Sequence, residues 1–170
     1  TLKELFEGNE PLFRSLYIHD RWDWERRYPV IVLDFAAGEI KSRAELDRRI
    51  YRLLGDNAER LGVACDPVDN DIPGCFWDLI RHVRTQYGKR VVVLVDEYDK
   101  PILDALEDPA QAAKVRDGLK NLYSVLKAAD EHLQFVFMTG VTKFSKVSLF
   151  SGLNQLDDIT LDERYATLCG

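Results

Sequence analysis

Two adjacent carboxylates, Asp96 and Glu97, follow the apolar run Val91-Val92-Val93-Leu94-Val95. A run this short, rich in β-branched residues and introduced by Gly88-Lys89-Arg90, predicts a buried strand of a parallel sheet with the acids at its carboxyl end. An ionised carboxylate costs several kcal/mol to bury unpaired. Asp96 and Glu97 must therefore reach a cleft, a cation or hydrogen-bond donors. In open α/β sheets, ligands bind in the crevice beyond the carboxyl ends of the strands, and adjacent strand residues point to opposite sides. One acid can then hold a metal while its neighbour addresses a water. The same run fits equally well a buried strand that ends in a solvated acidic turn.

Other polar residues converge on this margin. Thr139 ends the apolar run Leu133 to Met138, so it is expected beside Asp96. Its hydroxyl can orient a water or touch a phosphate, or simply cap the strand turn. Lys143 and Lys146 follow in the segment Thr139-Gly140-Val141-Thr142-Lys143-Phe144-Ser145-Lys146, where an ammonium can neutralise phosphate charge or stay solvated. Asp34 closes a third apolar run, Tyr28 to Phe35, and is read as structural. The apolar run followed by Asp-Glu has the form of a Walker B strand, in which the Asp helps to hold Mg2+ and the Glu polarises the attacking water.

Helices must position these strand ends. Leu2, Leu5 and Phe6 form one apolar face before Gly8, the spacing of a helix end. Leu12, Phe13, Leu16 and Tyr17 predict a short amphipathic turn, and Trp22 and Trp24 are read as packing under a loop. Ser42-Arg43-Ala44-Glu45 has the form of a capping box. It opens a helix with Leu46, Ile50, Leu53, Leu54 and Leu61 inward, ending at Gly62. Asp66 to Gly74 reads as a loop, and Phe76, Leu79, Ile80 and Val83 line the next helix, with His82 on its surface. Asp99 is placed to cap a helix whose first turn takes Pro101. A longer helix from Pro109 to Ala129 buries Val115, Leu119, Leu122 and Leu126, and Val147 to Gly170 reads as loop with short helical pieces. Apolar strands separated by helical crossovers define an α/β class with a mainly parallel sheet.

Composition narrows the partners. With 170 residues, 46% of them hydrophobic, the chain is one domain or most of one. A net charge of -6 gives no general attraction to nucleic acid or anionic membrane. Cys65, Cys75 and Cys169 are widely spaced with no histidine at ligand spacing, which predicts thiols in a reducing cytoplasm rather than disulfides or zinc. No signal-peptide pattern or membrane-length apolar run occurs. No GxxxxGK[ST] loop occurs either, so nucleotide phosphates lack a cradle and the chain by itself is expected to bind ATP weakly or not at all. Beginning at Thr1 in a helix already running, it is expected to be a piece of a longer protein.

The motifs together resemble one family. Phe6-Glu7-Gly8, Trp22-Asp23-Trp24, Tyr28-Pro29-Val30-Ile31, Leu94-Val95-Asp96-Glu97-Tyr98-Asp99-Lys100-Pro101-Ile102, Thr139 to Ser145, and Asn154 with Leu156, Asp158, Ile159 and Thr160 are similar to the AAA-ATPase-like proteins. These are bacterial proteins in which a P-loop NTPase domain is commonly followed by a PD-(D/E)xK nuclease-like domain. The resemblance covers residues 1–170 as a partial domain holding the Walker B and sensor-1 region. It implies a three-layer P-loop NTPase-like sandwich of sheet order 5-1-4-3-2, truncated so that the first and fifth strands are absent. It further implies that Asp96 is the Mg2+ acid and Glu97 the catalytic base, with Thr139 a sensor-1-like residue, and Lys143, from its place in the loop, is expected to contact the nucleotide. The parent would then hydrolyse ATP with Mg2+ in the cytoplasm, with a linked nuclease-like domain as partner, while the fragment alone is inactive. An unpaired edge on the strand ending at Met138 predicts self-association. The alternatives are a degenerate NTPase-like interaction or regulatory module, in which both acids are structural, and a nuclease whose acids bind metal directly. The lack of a downstream ExK argues against the nuclease.

Overall fold

The structure, a computed structural model, describes residues 1–64, 71–141, 149, 156–160 and 162–165. Its centre is a parallel sheet of three strands among the described residues, β1 (Val30–Asp34), β2 (Val91–Asp96) and β3 (Leu133–Met138), in the order β1-β2-β3. Val30 pairs with Val92 and Asp34 with Asp96, while Val92 to Val95 pair with Phe135 to Met138 after an irregularity at Val91/Val92. The middle strand is the Val91 to Val95 run, buried at every position except the half-buried Leu94. All three apolar runs therefore form strands and the observed neighbours match the 4-3-2 portion of the implied order, but β3, expected to be buried like the other two, is buried only at Leu133.

Alternation gives the sheet two unlike faces. Ile31, Leu33, Phe35, Val91, Val93 and Val95 point into the main core. They meet α2 (Arg43–Leu61), α3 (Ile72–Tyr87) and α5 (Pro109–Ala128), whose buried stripes include Leu46, Ile50, Leu79, Ile80, Leu119 and Leu122. Burying such side chains contributes about 1.5–3 kcal/mol each. The opposite face carries Val32, Leu94, Phe135 and Phe137 and is thinly covered. The short α1 (Leu2–Phe6) lies there, Phe6 sitting 5.4 Å from Phe135 and 5.3 Å from Trp22 between ring centroids. Among the described residues this is two full layers and a partial third, so the architecture is α/β with a parallel sheet and helices. Phe135 is 40% exposed as a result.

Local chemistry explains the helix ends and corrects several expectations. Ser42 Oγ accepts from Glu45 N at 3.3 Å, but Glu45 Oε2 accepts from Lys41 N at 2.7 Å rather than from Ser42 N, so the box is closed one residue upstream. At the other end Gly62 takes φ 66°, a left-handed stop that glycine adopts without a Cβ clash. Helix α3 begins before the expected Phe76, because Asp71 Oδ1 accepts from Gly74 N at 3.0 Å and Pro73 is tolerated in a first turn. Of the amphipathic turn expected around residues 12–17, only Phe13 is buried, in a 3-10 turn over Glu10–Phe13. His82 is held by the Ala64 carbonyl at 3.0 Å, a contact from 18 residues away that spacing could not show. Cys75 is disulfide-bonded, against the expectation of thiols; the other cysteines lie outside the described residues. Sequence spacing carries no information on which sulfurs the fold brings together.

Helix α2 also finishes the outer edge of the sheet. Arg60, Asn57 and Arg49 lie on one helix face, at three- and four-residue steps when Leu53 is counted between them. Arg60 Nη2 donates to Val30 O, and Asn57 Nδ2 donates to Val32 O at 2.7 Å while its Oδ1 accepts from Val32 N at 2.9 Å. Arg49 Nη2 donates to Asp34 O at 3.0 Å. The outward backbone groups of β1 are thus met by side chains, which blunts that edge against further pairing. No described side chain does the same for β3.

Candidate functional site

At the carboxyl ends of β2 and β3 the two chain segments are stitched together. Thr139 N donates to Val95 O at 2.9 Å and Tyr98 N donates to Thr139 O at 2.9 Å. That brings the Thr139 hydroxyl onto Asp96, where Oγ1 donates to Oδ1. Glu97 N donates to the same oxygen at 3.1 Å. Oδ2 of Asp96 accepts no hydrogen bond from a described residue, and the carboxylate is exposed. Asp96 is consequently a carboxylate oriented through one oxygen, while the other is engaged by no described residue.

Glu97 leaves the strand abruptly. Its φ of 51° makes it the one described non-glycine residue in the left-handed region, a conformation that costs about 1–2 kcal/mol. Such strain accumulates where function needs a particular direction. Lys100 N donates to Glu97 O at 3.1 Å, which closes the turn into α4 (Lys100–Asp104).

The third acid, Asp34, is the register partner of Asp96 on the neighbouring strand, so both side chains leave the same face of the sheet. Its carboxylate is turned into its own loop, Oδ1 accepting from Ala36 N at 2.7 Å. The structural reading of Asp34 fits that bond. Lys100, from the same segment as the acids, donates to Gly38 O at 2.7 Å and to Asp104 Oδ2 at 2.7 Å, and Asp104 Oδ2 also accepts from Ile40 N at 3.1 Å. The loop after β1 is therefore tied to the loop after β2.

Asp99 differs from expectation. It occupies the position before α4, but no side-chain cap bond forms. Its carboxylate is buried, at 1% exposure, and Oδ1 accepts from Val141 N at 3.2 Å. A cap would have to face the first turn of α4, whereas this side chain turns toward the end of β3. Gly140 makes that approach possible, since a Cβ there would lie 2.6 Å from Asp99 Oδ1 and 2.6 Å from Tyr98 Cε1. Behind the turn, the buried Tyr123 of α5 donates to Tyr98 O at 3.2 Å.

Asp96, Glu97 and Thr139 are thus brought together as their positions at strand ends predict. Lys143, the fourth predicted residue, lies outside the described residues, as do Thr142 and Lys146. Tyr123 was not foreseen, because at helical spacing it reads as one more core aromatic. The one sequence signal for it is a polar-tipped ring within a wholly apolar stripe. Among the described residues no three His, Cys, Asp or Glu side chains are grouped to hold a metal ion. A lone carboxylate is nevertheless a sufficient protein ligand for Mg2+, which keeps most of its waters and takes its remaining ligands from phosphate. Asp96, with Oδ2 open, fits that need.

Sequence comparison decides the family. The pattern of the AAA-ATPase-like family, described as a predicted AAA-ATPase, matches residues 1–150. The chain belongs to this family. An uncharacterized protein in the vnfD 5′ region of Azotobacter chroococcum mcd 1 is 56% identical to this AAA-ATPase-like chain over 170 residues, which is 100% of the chain and 33% of that protein. The chain thus spans about a third of the length of its curated relative. No solved structure matches it. No helix of the described residues is long and apolar enough to cross a membrane.

Proposed function

We propose that this chain supplies the acid-bearing half of an ATP-hydrolysing site in a longer AAA-like ATPase. Membership of a family of predicted ATPases supports nucleotide binding. The observation that carries the finer reading is the joint at the ends of β2 and β3, where Thr139 orients Asp96 and Glu97 turns out of the strand beside it. In this reading Asp96 is the protein ligand of Mg2+, through the oxygen that no described residue engages. Bound Mg2+ supplies charge neutralisation on the phosphates. Glu97 holds the attacking water and takes its proton. Thr139 keeps the Asp96 carboxylate in one orientation, and Lys143 contributes positive charge to the phosphates. A cytoplasmic location goes with ATP hydrolysis, while the disulfide at Cys75 is uncommon in a reducing compartment, and cell fractionation tests the location. A nuclease-like domain linked to the ATPase belongs to the same proposal, tested by metal-dependent DNA cleavage in the intact protein.

The phosphate cradle has to come from outside these residues, because no GxxxxGK[ST] occurs among them. The bonds that Asp96 Oδ1 accepts from Glu97 N and the Thr139 hydroxyl favour a second reading, an NTPase-like interaction module in which Asp96 and Glu97 only shape the turn. One assay separates the two. In the intact protein, Glu97→Gln should bind Mg-ATP as wild type does and lose at least about 100-fold in turnover, the loss typical of a removed general base. Equal turnover in both proteins, or none in either, removes Glu97 as base and leaves the interaction module.

A further inference from the structure

The left-handed backbone of Glu97 needs something to hold it, since strain of this kind persists only where the surroundings over-determine it. Both polar groups of its own backbone are engaged, N–H by Asp96 Oδ1 at 3.1 Å and C=O by Lys100 N at 3.1 Å. The next residue is gripped from two sides. Tyr98 N donates to Thr139 O at 2.9 Å, and Tyr98 O accepts from the Tyr123 phenol at 3.2 Å. One residue further on, the buried Asp99 carboxylate accepts from Val141 N at 3.2 Å, pulling the turn against the end of β3. These contacts come from α5 and from the segment after β3, so they report packing far along the chain to the acid turn.

We infer that Tyr123 and Asp99 are positioning residues that hold Glu97 in its left-handed conformation and so set where its carboxylate points. For catalysis this rests on the proposed role of Glu97 as base. The phenol suits the task because it is buried and stays neutral. Burial first, then the charges of Asp99 and Tyr98, push its pKa well above the usual phenol range. It therefore donates to Tyr98 O across any working pH. Asp99 suits it because a buried carboxylate tolerates little displacement from its donor. Neither residue touches the exposed oxygen of Asp96, so both act through the turn.

Two measurements on the intact protein test this. In the first, Tyr123→Phe lowers kcat by about tenfold or more and leaves KM for ATP within about twofold, as a misaimed but intact base would. The same change made in Glu97→Gln causes no further loss. An equal factor in both backgrounds, or a loss carried by KM, overturns the inference. The second needs no turnover. At a left-handed position glycine is favoured over alanine, and at an ordinary one alanine is favoured over glycine. Glu97→Gly should accordingly melt higher than Glu97→Ala, by about 2–4 °C, and the gap should close or reverse when Tyr123→Phe is added. An unchanged gap shows that the phenol does not hold the turn. If the intact protein hydrolyses no ATP, the proposed function falls, and the melting comparison alone decides the positioning role.

Discussion

Replacing Asn57 by alanine should destabilise the protein by about 2 kcal/mol, although the residue is remote from the acids and polar in a core-facing helix. The side chain makes three bonds to backbone: Oδ1 accepts from Val32 N at 2.9 Å, and Nδ2 donates to Val32 O at 2.7 Å and to Leu53 O at 2.8 Å. The further bond that Oδ1 accepts from the half-exposed Arg60 Nη2 at 2.9 Å is one that water replaces, so it adds nothing to the sum. Each of the three backbone bonds is worth about 1 kcal/mol net, and a group left unpaired can cost more. Against a total of about 3 kcal/mol stands partial rescue by water. Asn57 and Val32 line a groove of about 240 Å³ with Lys3, Leu53, Asp56 and Arg60, room enough for a water to replace one or so of the lost bonds. The remainder is about 2 kcal/mol. With a urea slope of about 2 kcal/mol per M, the unfolding midpoint should fall by about 1 M at unchanged slope, followed by tryptophan fluorescence. Hydrogen exchange gives the local check. The Val32 amide should lose protection disproportionately, while the Phe35 amide, which donates to Asp96 O within the sheet at 3.1 Å, falls only with global stability. A midpoint shift under about 0.2 M, or equal losses at both amides, would refute the view that Asn57 closes the β1 edge.

Gly140→Ala should destabilise by about 1–3 kcal/mol, the cost of overpacking, because its Cβ would stand 2.6 Å from both the Asp99 carboxylate and the Tyr98 ring; thermal melting that matches wild type would contradict that geometry. His19 is held between Asp20 at 2.9 Å and Glu10 at 3.2 Å, and its pKa is raised, chiefly by the hydrogen bond to Asp20. A raised folded-state pKa means that its contribution is complete below the ordinary value of 6.5 and fades as pH climbs through the raised one. His19→Gln should therefore flatten the fall in Tm just above pH 6.5, and an identical pH profile in the variant would exclude the effect. The isolated 170-residue chain should self-associate through the side of β3 that the described residues leave uncovered, with Phe135→Lys weakening the association in sedimentation velocity runs. A wild-type chain that stays monomeric across a wide concentration range would show that this side is closed.

The residue string by itself determined the strands and the margin where polar groups collect. Val91 to Val95 is too apolar and too short to be anything but a buried strand, and no ionised acid can continue it. That solvation argument placed Asp96 and Glu97 at its end, and the same logic placed Thr139 beside them. Helix faces were also legible, since Leu46, Ile50, Val115 and Leu119 repeat at the helical period and all are buried. Periodicity reports only which face turns inward, so it could not say what each polar residue on that face meets. Asn57 and Arg60 close the edge of β1, Asp99 turns away from the helix it precedes, and Tyr123 reaches the Tyr98 carbonyl. Each of these bonds joins groups that sequence separation leaves unrelated, and only the packing of α2 and α5 against the sheet and the pairing of β2 with β3 bring them within reach. The left-handed Glu97 belongs with them. Nothing local favours that backbone in a glutamate, and a strained conformation exists only where tertiary contacts outweigh its cost.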